Sequence, residues 1–97
     1  MHLTDEKLYQ KAIEKWGNLQ VIVAVEEFAE LTQQLCKYLC DPKKFEERPV
    51  NQYQLCDELA DAEIMLEEMK LFFHNSEHVR EAKKMKLDKL EGRLKNA

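Results

Sequence analysis

The chain has 97 residues, enough for one domain, and its 44% hydrophobic and 35% charged residues are the mixture of an amphipathic helical protein. A net charge of −4, with acidic and basic residues interspersed, argues against binding a nucleic-acid polymer, which needs a basic face. No segment reaches the roughly 18 apolar residues of a membrane span, and the N-terminus has no signal-peptide pattern, so we expect a cytoplasmic protein without a membrane partner.

The spacing of apolar residues predicts an all-α, four-helix, bundle-like fold, with residues 1–97 forming one domain and no strand. The predicted helices span residues 4–15, 19–40, 51–73 and 77–94. Thr4 or Asp5 is the expected N-cap of the first helix, and Asn18 that of the second. Because prolines interrupt the pattern after the second helix, residues 41–50 are predicted to form a polar loop.

The two long helices carry apolar residues on more than one face. The main stripes, expected to face the core, are Val21, Val25, Phe28, Leu35, Cys36 and Leu39 on the second helix and Leu55, Leu59, Ala62, Leu66, Met69 and Phe73 on the third. Large apolar side chains outside these stripes are Ile22, Val23, Ile64, Met65, Leu71 and Phe72. Four helices of one chain cannot cover so many faces, so we expect a homodimer or homotetramer with the second and third helices at the interface.

The chain has three cysteines, an odd number that favours reduced thiols over disulfides. Cys36 and Cys40 are one helical turn apart, so a metal site that includes Cys56 is one interpretation. Buried, inert thiols are the preferred one.

Acidic residues cluster at helical spacing on both long helices. Glu26, Glu27 and Glu30 lie within about one turn of the second helix, and Glu58 and Asp61 are i,i+3 neighbours on the third. Like charges at these spacings repel each other, which destabilises a helix by about a few tenths of a kcal/mol per pair. A hard divalent cation reverses this, because clustered carboxylates supply the oxygen ligands that magnesium prefers. The spacing therefore indicates a candidate magnesium site.

Other interpretations remain open from the residues alone. With 19 acidic residues, some fall at i,i+3 by chance, and Glu46-Glu47 and Glu67-Glu68 are interpreted as solvated pairs. A non-enzymatic helical interaction module, whose acidic face binds a basic partner, is the first alternative to a metal-dependent enzyme. A thiol–zinc regulator is the second.

The two acidic motifs resemble a known signature. Glu-Glu-x-x-Glu at 26–30, followed on the next long helix by Glu-x-x-Asp at 58–61, is similar to that of the MazG-like all-α NTP pyrophosphohydrolase superfamily. The context also resembles it, in Glu-Glu-Phe-Ala-Glu-Leu, in Asp-Glu-Leu-Ala-Asp-Ala-Glu-Ile-Met-Leu, in Lys15-Trp16-Gly17 and in the basic stretch at 83–93. The likeness covers nearly the whole chain.

This resemblance implies a MazG-type fold and a magnesium-dependent hydrolase that acts on an acid anhydride, cleaving a nucleoside triphosphate to the monophosphate and pyrophosphate. It also implies the roles of the site residues. Glu27, Glu30, Glu58 and Asp61 would bind magnesium, and the catalytic role of Glu26 would be to support that shell or position the attacking water. The metal would offset phosphate charge and activate the water.

Five further residues are candidates for substrate binding. Lys37 lies on the Glu30 side of the second helix, about two turns on, where it could meet phosphate. Lys83, Lys86 and Arg93 on the last helix are further phosphate candidates, although a lysine-rich terminal helix is also typical of a solvated face. Trp16 could stack on the base or be a core aromatic.

Overall fold

A computed structural model describes residues 3–97, which are all-helical and contain no strand. The five helices are α1 (Asp5–Trp16), α2 (Leu19–Cys40), α3 (Pro42–Glu46), α4 (Pro49–Phe72) and α5 (Ser76–Lys95). The all-α prediction is confirmed. The four main helices are also confirmed, and each of their ends lies within two residues of the predicted position. No helix of the described chain is both long and apolar enough to cross a membrane.

Two short signals set the first helix boundary. Thr4 is the N-cap of α1, as predicted, and its hydroxyl accepts a hydrogen bond from the Lys7 backbone N–H at 3.2 Å. Gly17 ends α1 with φ 55°, a conformation open to glycine at little steric cost, and its N–H donates to the Ile13 carbonyl. Asn18 precedes α2 as predicted, but its backbone is already helical and its side chain makes no capping bond.

The prediction of a polar loop over residues 41–50 is wrong. Pro42 begins the short helix α3, and Pro49 begins α4. Asp41 caps α3, because its Oδ1 accepts from the Lys44 backbone N–H at 3.1 Å. A proline is well tolerated in a first helical turn, where the missing N–H has no intrahelical partner. These prolines therefore start helices, whereas the sequence prediction treated them only as helix breakers.

Helices α2 and α4 form the central antiparallel pair. Polar side chains meet across it in four residue pairs, one residue from each helix, which we call the polar rungs. Successive rungs are seven, three and seven residues apart on α2, with the same steps taken backwards on α4. The rungs are Gln20–Glu68, Glu27–Asp61, Glu30–Glu58 and Lys37–Asn51. Steps of three and seven keep side chains on one face of a helix, so the register brings these eight side chains together in four pairs.

The apolar core is small. Its buried members are Ala24, Phe45, Ala62 and Met65. Much of the predicted core is instead exposed: Val25, Leu35, Leu39, Leu59, Leu66 and Phe73 are each more than two-fifths accessible. The stripe prediction was wrong for these six residues because the facing arc of each helix is occupied by the polar rungs, which displace the apolar stripe to one flank.

The flanking helices add little burial. α1 packs against α2 and α4, whereas α5 contacts only α4 and buries no residue of its own. Of the residues predicted to lie at a subunit interface, Met65 is buried within the chain and Val23, Leu71 and Phe72 are half-buried. Ile22 and Ile64 remain exposed.

Candidate metal centre

Three carboxylates converge where α2 and α4 face each other. Each of Glu27, Glu58 and Asp61 offers an oxygen, and these atoms all lie within 4.8 Å of one another. All three side chains are half-buried. The i,i+3 spacing of Glu58 and Asp61 places both on the same arc of α4, and the antiparallel register brings Glu27 opposite them.

The close approach perturbs the acidity of the cluster. Burial, followed by the charges of Asp61 and Glu30, raises the pKa of Glu27 to about 7. Burial, followed by the nearby Glu30, also raises the pKa of Glu58. The Glu27 and Asp61 carboxyls are close enough to share a proton in a hydrogen bond, and so are those of Glu58 and Glu30. The cluster is therefore short of positive charge.

The orphaned oxygens show what the cluster lacks. Oε2 of Glu27 and Oε2 of Glu58 are shielded from solvent, and neither accepts a hydrogen bond. A buried carboxylate oxygen without a donor is costly unless a cation meets it. The donor set is entirely oxygen, which suits a hard divalent cation such as magnesium. The residues present therefore fit the expected metal.

The other two predicted acids, Glu26 and Glu30, are exposed. Glu30 is exposed but reaches Glu58 across the helix pair. Glu26 is exposed next to Glu27, one turn before Glu30 on α2. Of the five predicted carboxylates, three therefore converge and are half-buried, Glu30 reaches them from the solvent side, and Glu26 is exposed beside them in sequence.

Two of the predicted substrate-binding residues, Lys37 and Trp16, lie outside α5. Lys37 belongs to the polar rungs, since its Nζ donates to Oδ1 of Asn51 at 3.1 Å. Trp16 is 48% exposed, with the Lys15 Nζ 5.3 Å from its ring centroid, so the core-aromatic alternative is wrong.

The three basic residues of α5 are not gathered at the carboxylates by the single chain. Lys83 lines a separate cleft of about 670 Å³ between α1, α4 and α5. Lys86 and Arg93 lie further along α5, exposed, on a helix that does not contact α2. Their roles in binding phosphate stay predictions.

The thiols are not where the sequence placed them. Cys36, Cys40 and Cys56 are all exposed, so the prediction of buried, inert thiols is wrong. Within residues 3–97, no cysteine joins a group of three or more side chains that could hold one metal ion. Among the described residues, therefore, nothing supports the thiol–zinc interpretation.

One buried acid was misjudged. Glu68, interpreted as part of a solvated pair, is only 3% exposed, and burial raises its pKa. With its amide oriented to satisfy both partners, Gln20 donates to the two Glu68 oxygens at 2.8 and 2.9 Å. The seven-residue spacing from Asp61 to Glu68 is the sequence signal that could have identified it, because it repeats the helix face.

Comparisons of this chain with protein-family models, with curated proteins and with solved structures returned no match.

Proposed function

We propose that the chain is a magnesium-dependent nucleoside triphosphate pyrophosphohydrolase with a MazG-type fold. The observation that carries the proposal is the cluster of Glu27, Glu58 and Asp61, each of which offers one oxygen within 4.8 Å of the others. Glu27 and Glu58 each also have a buried oxygen without a donor. Structural carboxylates are more commonly paired with cations or solvated. A cluster enclosed between two helices and left without a counter-charge favours a bound cation.

The chain's own residues divide the work as follows. Glu27, Glu58 and Asp61 would hold the ion, and Glu30 would complete the set from the solvent side. Magnesium, when bound, offsets phosphate charge and lowers the pKa of a coordinated water. Glu26, which is exposed and adjacent to Glu27 in α2, would orient the water that attacks.

The reaction balances as a hydrolysis. The water oxygen adds to the α-phosphorus, and the bond between that phosphorus and the α,β-bridging oxygen breaks. Pyrophosphate leaves with the electron pair, and the proton from water passes to a carboxylate of the cluster or to solvent. The products are a nucleoside monophosphate and pyrophosphate.

The surface of the chain supports assembly into a homodimer or a homotetramer. Its accessible area is 8155 Å², against about 5,800 Å² for a compact monomer of this mass. Its radius of gyration is 16.9 Å, against about 12.5 Å for a compact domain of this length. The excess area is of the size that a substantial dimer interface covers.

The exposed part of the two stripes identifies the surface that a second copy would cover. We call it the apolar face: Val25, Leu35 and Leu39 of α2 with Leu59, Leu66 and Phe73 of α4. Helical periodicity in an antiparallel pair places both halves on one flank. Two such helix pairs packed by their apolar faces form a four-helix bundle with a two-fold axis. The interface proposed here therefore uses α2 and α4, but with different side chains from those predicted.

A panel of ribo- and deoxyribonucleoside triphosphates, incubated with millimolar magnesium in the cytoplasmic pH range, tests the proposed function. Pyrophosphate and orthophosphate are measured separately. At least one triphosphate should give pyrophosphate in equal amount to the monophosphate. Indifference to magnesium and to every nucleotide would instead favour the acidic interaction module.

A further inference from the structure

A basic pocket lies two helical turns from the metal cluster. It is a cavity of about 300 Å³ formed where α2 ends, α3 turns and α4 begins. Three cationic side chains line it: Lys37, Lys44 and Arg48. The sequence prediction included only Lys37, because the other two lay in a segment interpreted as loop.

The lining of the pocket has more positive than negative charge, with three cationic side chains to one carboxylate. Its one carboxylate, Asp41, is engaged through Oδ1 in capping α3. Across residues 3–97, none of Lys37, Lys44 and Arg48 is in an ion pair with a carboxylate. In a chain of net charge −4, three unpaired cations around one cavity indicate a site for an anion.

The walls of this basic pocket are fixed by buried groups. Asn51 is 2% exposed; its Oδ1 accepts from Lys37, and its Nδ2 donates to the Phe45 carbonyl at 3.0 Å. Phe45, itself 3% exposed, packs edge-on against Tyr38. The backbone on which Lys44 sits is therefore anchored from both sides, which lowers the entropy lost when the cations bind a ligand.

The polar rungs connect the basic pocket to the carboxylates. Lys37 is seven residues beyond Glu30 on the same face of α2, a rise of about 10 Å. Gln34 lies between them, and its buried Oε1 has no partner. Rotation of that amide would present an N–H to an anion spanning the gap.

We propose that the basic pocket binds the β- and γ-phosphates of the substrate, the part that leaves as pyrophosphate. This inference rests on the proposed function, because it takes the α-phosphorus to lie at the metal cluster. Charge then alternates along the helix pair, with carboxylates and metal at the reacting phosphorus and lysine and arginine at the tail. Nucleoside diphosphates lose contacts to the pocket, so triphosphates are the favoured substrate class.

Inorganic pyrophosphate is the probe that separates the pocket from the metal cluster. Isothermal titration in metal-free buffer should show binding to the wild-type chain, since the unneutralised carboxylates of the cluster repel pyrophosphate and the basic pocket attracts it. Lys44→Gln and Arg48→Gln should each weaken that binding at least about tenfold, as expected for a lost charge-assisted hydrogen bond. Circular dichroism checks that both variants remain helical.

Lys43→Gln is the matched control. Lys43 precedes Lys44 in α3, is exposed and does not line the cavity. Its substitution removes the same charge as Lys44→Gln. It should change pyrophosphate binding less than about twofold. Equal weakening by Lys43→Gln and Lys44→Gln would reduce the effect to overall charge and overturn the proposal, as would a wild-type chain that does not bind pyrophosphate.

The two proposals fail separately. If no triphosphate is hydrolysed but Lys44→Gln and Arg48→Gln lose pyrophosphate, the proposed function is wrong and the pocket stands as an anion site. If triphosphates are hydrolysed with the same KM by wild type and both variants, the enzyme stands and the pocket assignment is wrong.

Discussion

Glu27 on α2 and Asp61 on α4 bring their carboxyls close enough to share a proton across the helix pair, and burial together with this proximity raises the pKa of Glu27 to about 7. Two acids held in this way destabilise the fold whenever both are ionised. The same proximity makes them a chelating pair for a divalent cation.

The metal-free protein should lose stability as pH rises through the Glu27 titration. Its pKa is about 7 in the folded chain and 4.5 ordinarily, so the folded state holds the proton more tightly. The contribution to stability is complete below about pH 4.5 and is lost as the pH rises to about 7 and beyond. Thermal melts in chelator at pH 5.5 and pH 8 measure it, and Glu27→Gln should reduce the difference. An equal or larger difference in this variant would contradict the assignment.

Magnesium should reverse that trend at high pH. Ionised carboxylates bind the ion, and a ligand that binds only the folded state stabilises it by mass action. At pH 8, millimolar magnesium should raise the Tm of the wild type but not that of Asp61→Asn. Glu63→Gln is the control, because Glu63 is an exposed acid on α4 outside the cluster. An equal rise in Tm for Asp61→Asn and Glu63→Gln would show that the ion does not bind at this cluster.

The carboxylates should be required for turnover but not for folding. Glu30→Gln and Asp61→Asn keep side-chain shape while removing charge, so each should lower kcat at least about a hundredfold with helical content unchanged. Relief of acid–acid repulsion should leave metal-free stability equal or higher. Near-normal activity in both variants would show that the catalytic site lies elsewhere.

Bond cleavage at the α-phosphorus can be checked with isotopes. Hydrolysis in ¹⁸O-labelled water should place the label in the monophosphate and leave pyrophosphate unlabelled, because water attacks the α-phosphorus. Mass spectrometry of the two products reads this directly. Label in pyrophosphate, or release of orthophosphate with a diphosphate, would contradict the proposed reaction.

The buried pair of Gln20 and Glu68 should respond differently to two substitutions. Glu68→Gln removes the ionisable group whose pKa burial raises, so the variant should be more stable than wild type at pH 8 and close to it at pH 4. Glu68→Ala leaves the buried Gln20 amide without a partner and should cost about 1–3 kcal/mol at either pH. Urea unfolding of the three proteins measures both effects. A destabilised Glu68→Gln at pH 8 would show that the ionised carboxylate is the favoured state.

Helix periodicity correctly predicted the long helices and the clustering of acidic residues on α2 and α4, because both depend on local spacing. It misjudged the core, since periodicity cannot say which of two adjacent arcs faces a partner helix. Leu39 was assigned to the core on its apolar side chain, whereas the observed register gives the facing arc to Lys37 and Asn51. Lys44 and Arg48 were missed because their placement depends on how prolines begin α3 and α4, a tertiary outcome of local turn chemistry.

Assembly through the apolar face should be disrupted by single charges placed within it. Leu39 and Leu66 are 73% and 54% exposed in the isolated chain, and burying a large apolar side chain is worth roughly 1.5–3 kcal/mol. Leu39→Glu and Leu66→Lys should therefore convert a wild-type dimer or tetramer into smaller species, because a charge buried in an apolar interface is costly.

Light scattering at micromolar concentration measures the outcome against the chain mass of 11.5 kDa. Met85→Lys is the matched control, since Met85 is 65% exposed on α5, away from the apolar face. It should leave the mass unchanged, whereas the two interface variants should lower it. If Met85→Lys alone dissociates the assembly, the subunits meet through α5. A wild-type mass near that of one chain would mean that α2 and α4 keep their apolar face in water, and the excess surface would then belong to a stable monomer.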